Sequence, residues 1–346
     1  MQEPRPIHSD LKTKRMVWEI EHPIRWSFMK VLREYSTLKE FYPEINPYVE
    51  VYKFRDNLYC LYSESLDGAG DPWMYLIDGP EKCMLIDTGF GLGDLKGLVR
   101  KLVGEKPIIV ANTHAHYDHA YGNAQFDQCY CHKNEVYRME QKNNPHIWDY
   151  LFDENGKPKW TEFDKSDLIS YKKYEVIGVD DGYRFDLGSG YEVEAVLLPG
   201  HTPGQCAYYD LHNRTIFIGD TTGIGTAVEG EPFDDFCTVE AMYDALVRLQ
   251  PRFDEITGVF PGHGMLDQTN LVLQYLLNTV EAVLKNPENY DERKIRTFGK
   301  GEKREVCMKY IYQGTGLRYT LDNVWRKKKN ERNFTDQSWG YGKRNG

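Results

Sequence analysis

Residues 113–119 read T-H-A-H-Y-D-H and place His114, His116, Asp118 and His119 within six positions, directly after the apolar run PIIVAN. In an extended or tightly turning segment, side chains two apart share a face. His114 and His116 can therefore grip one cation while Asp118 and His119 turn towards a second. Neutral imidazole and carboxylate in combination suit borderline divalent metals. Further along stand His201 in LLPGHTPGQ, Asp220 in TIFIGDTTG and His263 in TGVFPGHG, and Asp87 in MLIDTGFG shares their setting. Each follows an apolar, strand-like run and has glycine close by, the pattern of a strand that ends in a tight loop with its side chain presented. Five of the ten histidines lie in this set. His8, His22, His132, His146 and His212 lack the context and read as surface or packing residues.

The elements that must position these residues are short apolar strands alternating with helices. Residues 48–63 contain two strand-like runs broken at Arg55-Asp56-Asn57, and WMYLIDGPEKCMLIDTG reads as a hairpin turned at Gly79-Pro80. Asp94 opens a helix, DLKGLVRKLVG, that stops near Gly104, and KPIIVANTH is a strand of near-continuous apolar character. YEVEAVLLPGHT and the hairpin CAYYDLHNRTIFIGDTT follow, then a helix VEAMYDALVRLQ capped by Thr238 or a neighbour, the strand FDEITGVFPGHG, and a long amphipathic helix LVLQYLLNTVEAVLK. Two such halves can pack as sheets face to face with helices outside.

Taken in order, IDTG at 86–89, T-H-x-H-x-D-H at 113–119, GHTPG at 200–204, GDT at 219–221 and GHG at 262–264 resemble the metallo-β-lactamase-fold hydrolases, among them glyoxalase II-like and lactonase-like enzymes. The resemblance spans about residues 48–285. It implies an α/β layered fold, an αββα sandwich of two mixed sheets with flanking helices and a metal centre at one sheet edge. Carried over residue by residue, it gives His114, His116 and His201 to one metal and Asp118, His119 and His263 to the other. Asp220 then bridges the two, and Asp87 is a nearby carboxylate that orients a ligand histidine.

The chemistry agrees with that pattern. Two divalent cations roughly 3.5–4 Å apart can share a water whose pKa falls from about 15.7 towards about 7, which supplies a hydroxide nucleophile at neutral pH. Asp118 has a double claim, as ligand and as proton carrier. A purely structural zinc site is normally closed and cysteine-rich, whereas seven His/Asp ligands for two metals leave room for water and substrate. The expected cofactors are two divalent ions, zinc first, with iron or manganese as alternatives.

The substrate is harder to read. The family commonly has D-H-x-G-G, but this chain reads Asp118-His119-Ala120-Tyr121-Gly122, so Tyr121 either narrows the pocket, offers a phenol, or simply packs. The segment TTGIGTAVEGEPFDD after Asp220 lacks the arginine-containing, glycine-rich run of glutathione-thioester hydrolases. The reading is hydrolysis of an acyl bond (ester, lactone or thioester) in a small organic molecule. An iron-dependent oxygenase or oxidoreductase on the same fold and a phosphodiesterase are the alternatives. A non-catalytic scaffold is expected to have lost ligands, and none is missing.

Charge and composition narrow the partners. The 346-residue chain carries a net charge of −10, which offers no basic track for nucleic acid or an anionic membrane. No stretch has the roughly 18 consecutive apolar residues of a membrane span, and the start lacks a signal-like apolar region. The odd count of seven scattered cysteines reads as reduced thiols, and the expectation is a soluble, cytoplasmic protein, with a homo-oligomer left open. Cys129-x-Cys131 reads as core positions of a strand rather than a metal site.

Three regions lie outside this pattern. Residues 1–47 form an N-terminal extension with a helix in SFMKVLREYSTLKEFY, before a catalytic domain over 48–286. Residues 134–175 are polar and aromatic without periodicity and read as a lid-like insertion, with Trp148, Tyr150, Phe152 and Trp160 as a possible apolar wall. Residues 287–346 hold a hairpin, CMKYIYQGTGLRYTL, and a tail from Asn323 with seven Lys or Arg against two Asp or Glu, assigned no function.

Overall fold

The computed structural model describes residues 9–15, 28–225, 231–297, 303–312 and 315–326. Among the described residues, two mixed sheets carry the fold. The first has eight strands in the spatial order Glu175–Val179, Gln128–His132, Ile108–Ala111, Cys83–Ile86, Trp73–Asp78, Leu58–Tyr62, Glu50–Arg55 and Lys39–Phe41. Its first four strands pair in parallel and the rest antiparallel. The second sheet has five strands, Arg184–Asp186, Glu192–Leu197, Cys206–Asp210, Thr215–Gly219 and Gly258–Pro261, antiparallel except for the last pair.

Strand alternation explains how the sheets stack. Leu58, Cys60 and Tyr62, with Trp73, Tyr75 and Ile77, face the second sheet and pack on Tyr208, Phe217 and Phe260. The intervening Leu61, Met74 and Leu76 face outward beneath the helix Leu95–Val103, through Leu95, Leu98 and Val99. On the far side, Ala207, Tyr209, Ile216 and Ile218 bury the helices Val239–Leu249 and Leu271–Lys285. The result is the αββα sandwich, and burial of both faces is why these strands read as unbroken apolar runs.

Local signals act where expected. Asp94 accepts the Gly97 N–H at 2.7 Å to start its helix, and Gly104, at φ +75°, ends it. Thr238 accepts the Ala241 N–H at 3.1 Å to start the helix 239–249. Cys129 and Cys131 are both fully buried in the core beneath the outer helices, and all seven cysteines are unpaired.

Other stretches depart from the sequence reading. Of the expected helix SFMKVLREYSTLKEFY, residues 28–35 are helical, whereas Lys39–Phe41 pairs with Glu50–Tyr52 at the sheet edge. The segment 134–175 contains a regular helix, Val136–Lys142, and ends in the strand Glu175–Val179. The C-terminal hairpin is present as Lys303–Tyr312 and Thr315–Tyr319, with a third, unforeseen strand, Glu292–Thr297, and Leu317 and Tyr319 pack on the helical layer. Most of the basic tail lies outside the described residues.

Candidate metal centre

The strands that carry the predicted residues share a direction, so their C-terminal ends converge on one edge of the sandwich. His114, His116, Asp118 and His119 follow Ile108–Ala111, and Asp87 follows the parallel neighbour Cys83–Ile86. His201, Asp220 and His263 follow three co-directional strands of the second sheet. The structure brings all seven predicted ligands together, with Asp87 directly behind them.

Two groups of donors lie side by side. His116 Nδ1 is 3.0 Å from His114 Nε2 and 2.9 Å from His201 Nε2. Asp118 Oδ2 is 3.4 Å from His119 Nε2 and 3.2 Å from His263 Nε2. Asp220 spans both: its Oδ2 is 3.6 Å from His201 Nε2 and 3.2 Å from His263 Nε2, and its Oδ1 is 3.5 Å from His119 Nε2.

The outer nitrogens of these histidines are fixed, which aims the inner ones. His201 Nδ1 lies 3.0 Å from the Gly223 carbonyl and His263 Nδ1 lies 2.9 Å from the Asp71 carbonyl. A carbonyl only accepts, so each Nδ1 carries a proton, and in the neutral ring each Nε2 presents a lone pair. His119 Nδ1 donates likewise to Asp87 Oδ2 at 2.8 Å. Asp87 also accepts Thr113 N–H at 2.7 Å and Thr113 Oγ1–H at 2.8 Å, and holds a left-handed φ of +62°. A non-glycine residue in that conformation is held by its surroundings, here by three donors around one buried carboxylate.

The carboxylates and histidines of the cluster set one another's charge. Burial raises the Asp118 carboxyl, but His119 and His263 outweigh it and hold the group well below the carboxylate range. Burial lowers His263, yet Asp220 and Asp118 push it up to about 10. Burial, reinforced by neighbouring histidines, drives His114 well down.

These donors fit divalent cations. The ring nitrogens of His114 and His201 both lie about 3 Å from His116 Nδ1, which has a single proton to give and so cannot satisfy both, whereas a cation can be shared by all three. Asp220 Oδ1 is buried and receives no hydrogen bond, a costly state for a carboxylate oxygen that a cation relieves. His114, His116 and His201 form one set within ligating distance, and Asp118, His119 and His263 another.

Some residues that build the site gave no signal in the sequence. Glu135, fully buried, accepts Ala115 N–H and Gly204 N–H at 2.9 Å each and so ties the His114–His116 loop to the His201 loop. Asp71 holds His263 through a backbone carbonyl, which has no residue-type signature. The 134–175 segment sends Trp148 and Tyr150 into an aromatic cluster with Phe90, Tyr117 and Tyr121 beside Asp118. Tyr121 is buried among those rings, a packing residue. His132 is no surface residue: it is buried, and its Nδ1 accepts the Asn134 N–H at 3.2 Å.

Comparison with known proteins gives the family. The family model described as the metallo-beta-lactamase superfamily matches residues 67–263. The chain belongs to the metallo-beta-lactamase superfamily, and it is a metal-dependent hydrolase. It is 24% identical over 223 residues to the acyl-coenzyme A thioesterase MBLAC2 of Bos taurus, covering 60% of this chain and 78% of that protein. It is 25% identical over 205 residues to a hydroxyacylglutathione hydrolase of Pelagibacter ubique, covering 58% and 70% respectively. Among solved structures, a metallo-beta-lactamase from Pontibacter korlensis aligns over 67% of this chain and 99% of its own, at 18% identity and a TM-score of 0.48. No helix among the described residues is long and apolar enough to cross a membrane.

Proposed function

We propose that the protein hydrolyses the acyl bond of a small organic substrate at a dinuclear zinc centre, with a thioester as the first class to test. The observation that carries this reading is Asp220, whose two oxygens reach both donor groups. In this reading His114, His116 and His201 hold one ion, Asp118, His119 and His263 the other, and Asp220 both. Bound cations would supply Lewis acidity and a water acidic enough to attack at neutral pH.

The chain's own groups do the rest. Asp87, Asp71 and Gly223 fix ring orientation and tautomer. Asp118 takes the proton from the attacking water and returns it to the leaving group. Tyr117 and Tyr150, backed by the buried Phe90 and Tyr121, form an apolar wall that excludes water and receives the acyl chain. The names of the relatives, one an acyl-coenzyme A thioesterase and one a hydroxyacylglutathione hydrolase, favour thioesters over the other acyl bonds. The buried, unpaired cysteines support a reducing, cytoplasmic setting.

The test is elemental analysis of protein purified without added metal or chelator, beside the His263→Ala variant, followed by assay with matched thioesters, esters and lactones. The expected result is about two zinc ions per chain, about one in the variant, and thioester turnover. One iron per chain, unchanged in the variant, would overturn the dinuclear hydrolase and redirect the search to oxygen consumption.

A further inference from the structure

A chain of contacts runs from the N-terminal extension to His263, and its meaning rests on the dinuclear reading above. It starts at Arg33, buried on the short helical stretch over residues 28–35. The guanidinium donates through Nε and Nη2 to the two oxygens of Glu50, at 2.8 and 3.0 Å, and through Nη2 to Glu64 at 3.3 Å. Its Nη1 donates to the Tyr62 hydroxyl at 3.2 Å, and the group lies 4.4 Å from the centre of the Tyr62 ring. A guanidinium has no acceptor, so the Tyr62 oxygen accepts here and its own proton goes elsewhere. It goes to Asp71 Oδ2, at 2.7 Å. The other Asp71 oxygen accepts the Ser65 N–H at 2.8 Å, which pins the loop over residues 65–71.

The end of that loop is what touches His263. The Asp71 carbonyl accepts its Nδ1–H at 2.9 Å, and a methyl group at Gly70 would come within 3.2 Å of the same nitrogen. Just beyond, Trp73 donates its N–H to the Gly262 carbonyl at 2.8 Å and its ring Nε1–H to the Gly264 carbonyl at 3.0 Å. The chain on either side of His263 is thus tied to residues 71–73. On the inner side, His263 Nε2 lies 3.2 Å from both Asp118 and Asp220. The ring takes its direction from the loop, and the loop takes its position in part from the Asp71 carboxylate.

We infer that Tyr62 is a positioning residue for His263: by passing the Arg33 contact on to Asp71, it holds the ring in place for the ion assigned to Asp118, His119 and His263. Buried hydrogen bonds in series polarise and support one another, and a ligand whose outer partner shifts loses affinity for its own ion first. The other donor set is fixed separately, His201 through the Gly223 carbonyl, and should not respond. Arg33 and Tyr62 both precede the 67–263 stretch matched by the family model. The N-terminal extension thereby takes part in the centre without reaching it.

The experiment titrates the full-length, metal-stripped protein with zinc against a chromophoric chelator, which reads the affinity of each ion without turnover; His263→Ala marks which phase belongs to its ion. Tyr62→Phe is compared with Tyr52→Phe, a matched control. Tyr52 is equally buried, also packs on the Trp73 ring, and donates to Glu50 Oε2 of the same cluster at 2.6 Å, but leaves the Asp71 link intact. Tyr62→Phe should weaken the His263 ion about 3–10-fold and leave the other within about twofold. Tyr52→Phe should leave both within about twofold even where it lowers the denaturation midpoint as much. Asp71→Asn keeps the backbone carbonyl but sets an amide NH2 against a donor whichever way it turns. It breaks the same link from the far end, should match Tyr62→Phe, and decides the matter if that variant does not fold. Added to His263→Ala, Tyr62→Phe should move the remaining ion by less than about twofold, because the ring it positions is gone. A loss below about threefold, an equal loss for both ions, or a matching loss in Tyr52→Phe overturns the inference. If the wild type holds a single ion, the dinuclear reading fails on its own. The inference then stands if Tyr62→Phe weakens that ion about threefold or more and Tyr52→Phe does not, and falls otherwise.

Discussion

Replacing Asp87 separates three things this residue does at once. Its carboxylate accepts from Thr113 N, Thr113 Oγ1 and His119 Nδ1 while its backbone sits at φ +62°. Asparagine tolerates the left-handed region well and is nearly isosteric, so Asp87→Asn keeps the backbone and the contact to Thr113 N. Its amide NH2 then opposes the His119 Nδ1–H, and two donors cannot pair. The imidazole must rotate or move its proton to Nε2, the nitrogen that faces Asp118, Asp220 and His263. Loss of such an orienting partner typically costs about 10–100-fold in metal affinity, or about 1.4–2.8 kcal/mol. Asp87→Gly relieves the backbone but removes all three acceptor contacts, and Asp87→Ala adds the left-handed strain of about 1–2 kcal/mol to that loss. The expected order of zinc affinity is wild type, then Asn, then Gly, and Ala should be the least stable in guanidinium. A competition titration with a chromophoric chelator reads the affinities directly. Wild-type zinc affinity in Asp87→Asn would refute the argument, because the tautomer of His119 would then be set by something else.

Gly262→Ala should empty part of the centre, since a methyl there would lie 2.3 Å from Asp220 Oδ1 and 2.9 Å from the His119 ring; elemental analysis should show about one ion lost, and a full complement would contradict it. Glu135→Ala leaves the buried Ala115 and Gly204 N–H groups without acceptors and should destabilise the chain by about 2–6 kcal/mol in chemical denaturation. His116→Ala and Asp118→Ala should each lower turnover by at least about 10²–10³-fold with circular dichroism unchanged, and wild-type rates in both would sink the mechanism. Burial lowers His132 to about 4, below its unfolded value of about 6.5. Its stabilising contribution is therefore complete above about pH 6.5 and lost as pH falls towards about 4, by about 3 kcal/mol at most. His132→Asn, which keeps a cap acceptor but does not titrate, should flatten that acid limb in pH-dependent melts.

The centre was legible because its donors are rare residue types placed at strand ends, where apolar run, ligand and glycine follow one another. Even the departure at Tyr121 makes sense in the fold. Gly122 is the glycine that geometry demands, since a Cβ there would lie 2.1 Å from the Thr88 carbonyl, while the Tyr121 side chain is accommodated in the buried aromatic cluster. What the sequence hid acts through backbone atoms, solitary residues or long-range pairing. Glu135 is one acid in a polar stretch, and its meaning comes only from two loops 20 and 69 residues away. Lys39–Phe41 continues a helical spacing, yet pairing with Glu50–Tyr52 decides its state. Glu292–Thr297, sequence ERKIRT, has no alternation to read, as suits a charged edge strand.

The loops that carry the candidate ligands come from both sheets, so an ion held between them would be a clasp across one edge of the sandwich. Its binding energy adds to the stability of the whole chain by mass action, rising with the logarithm of free metal over the dissociation constant. A cell short of that metal would then lose the protein as well as its activity, because the unfastened sandwich spends more time open to proteases. Abundance of the polypeptide would itself track metal supply, with no dedicated sensor involved.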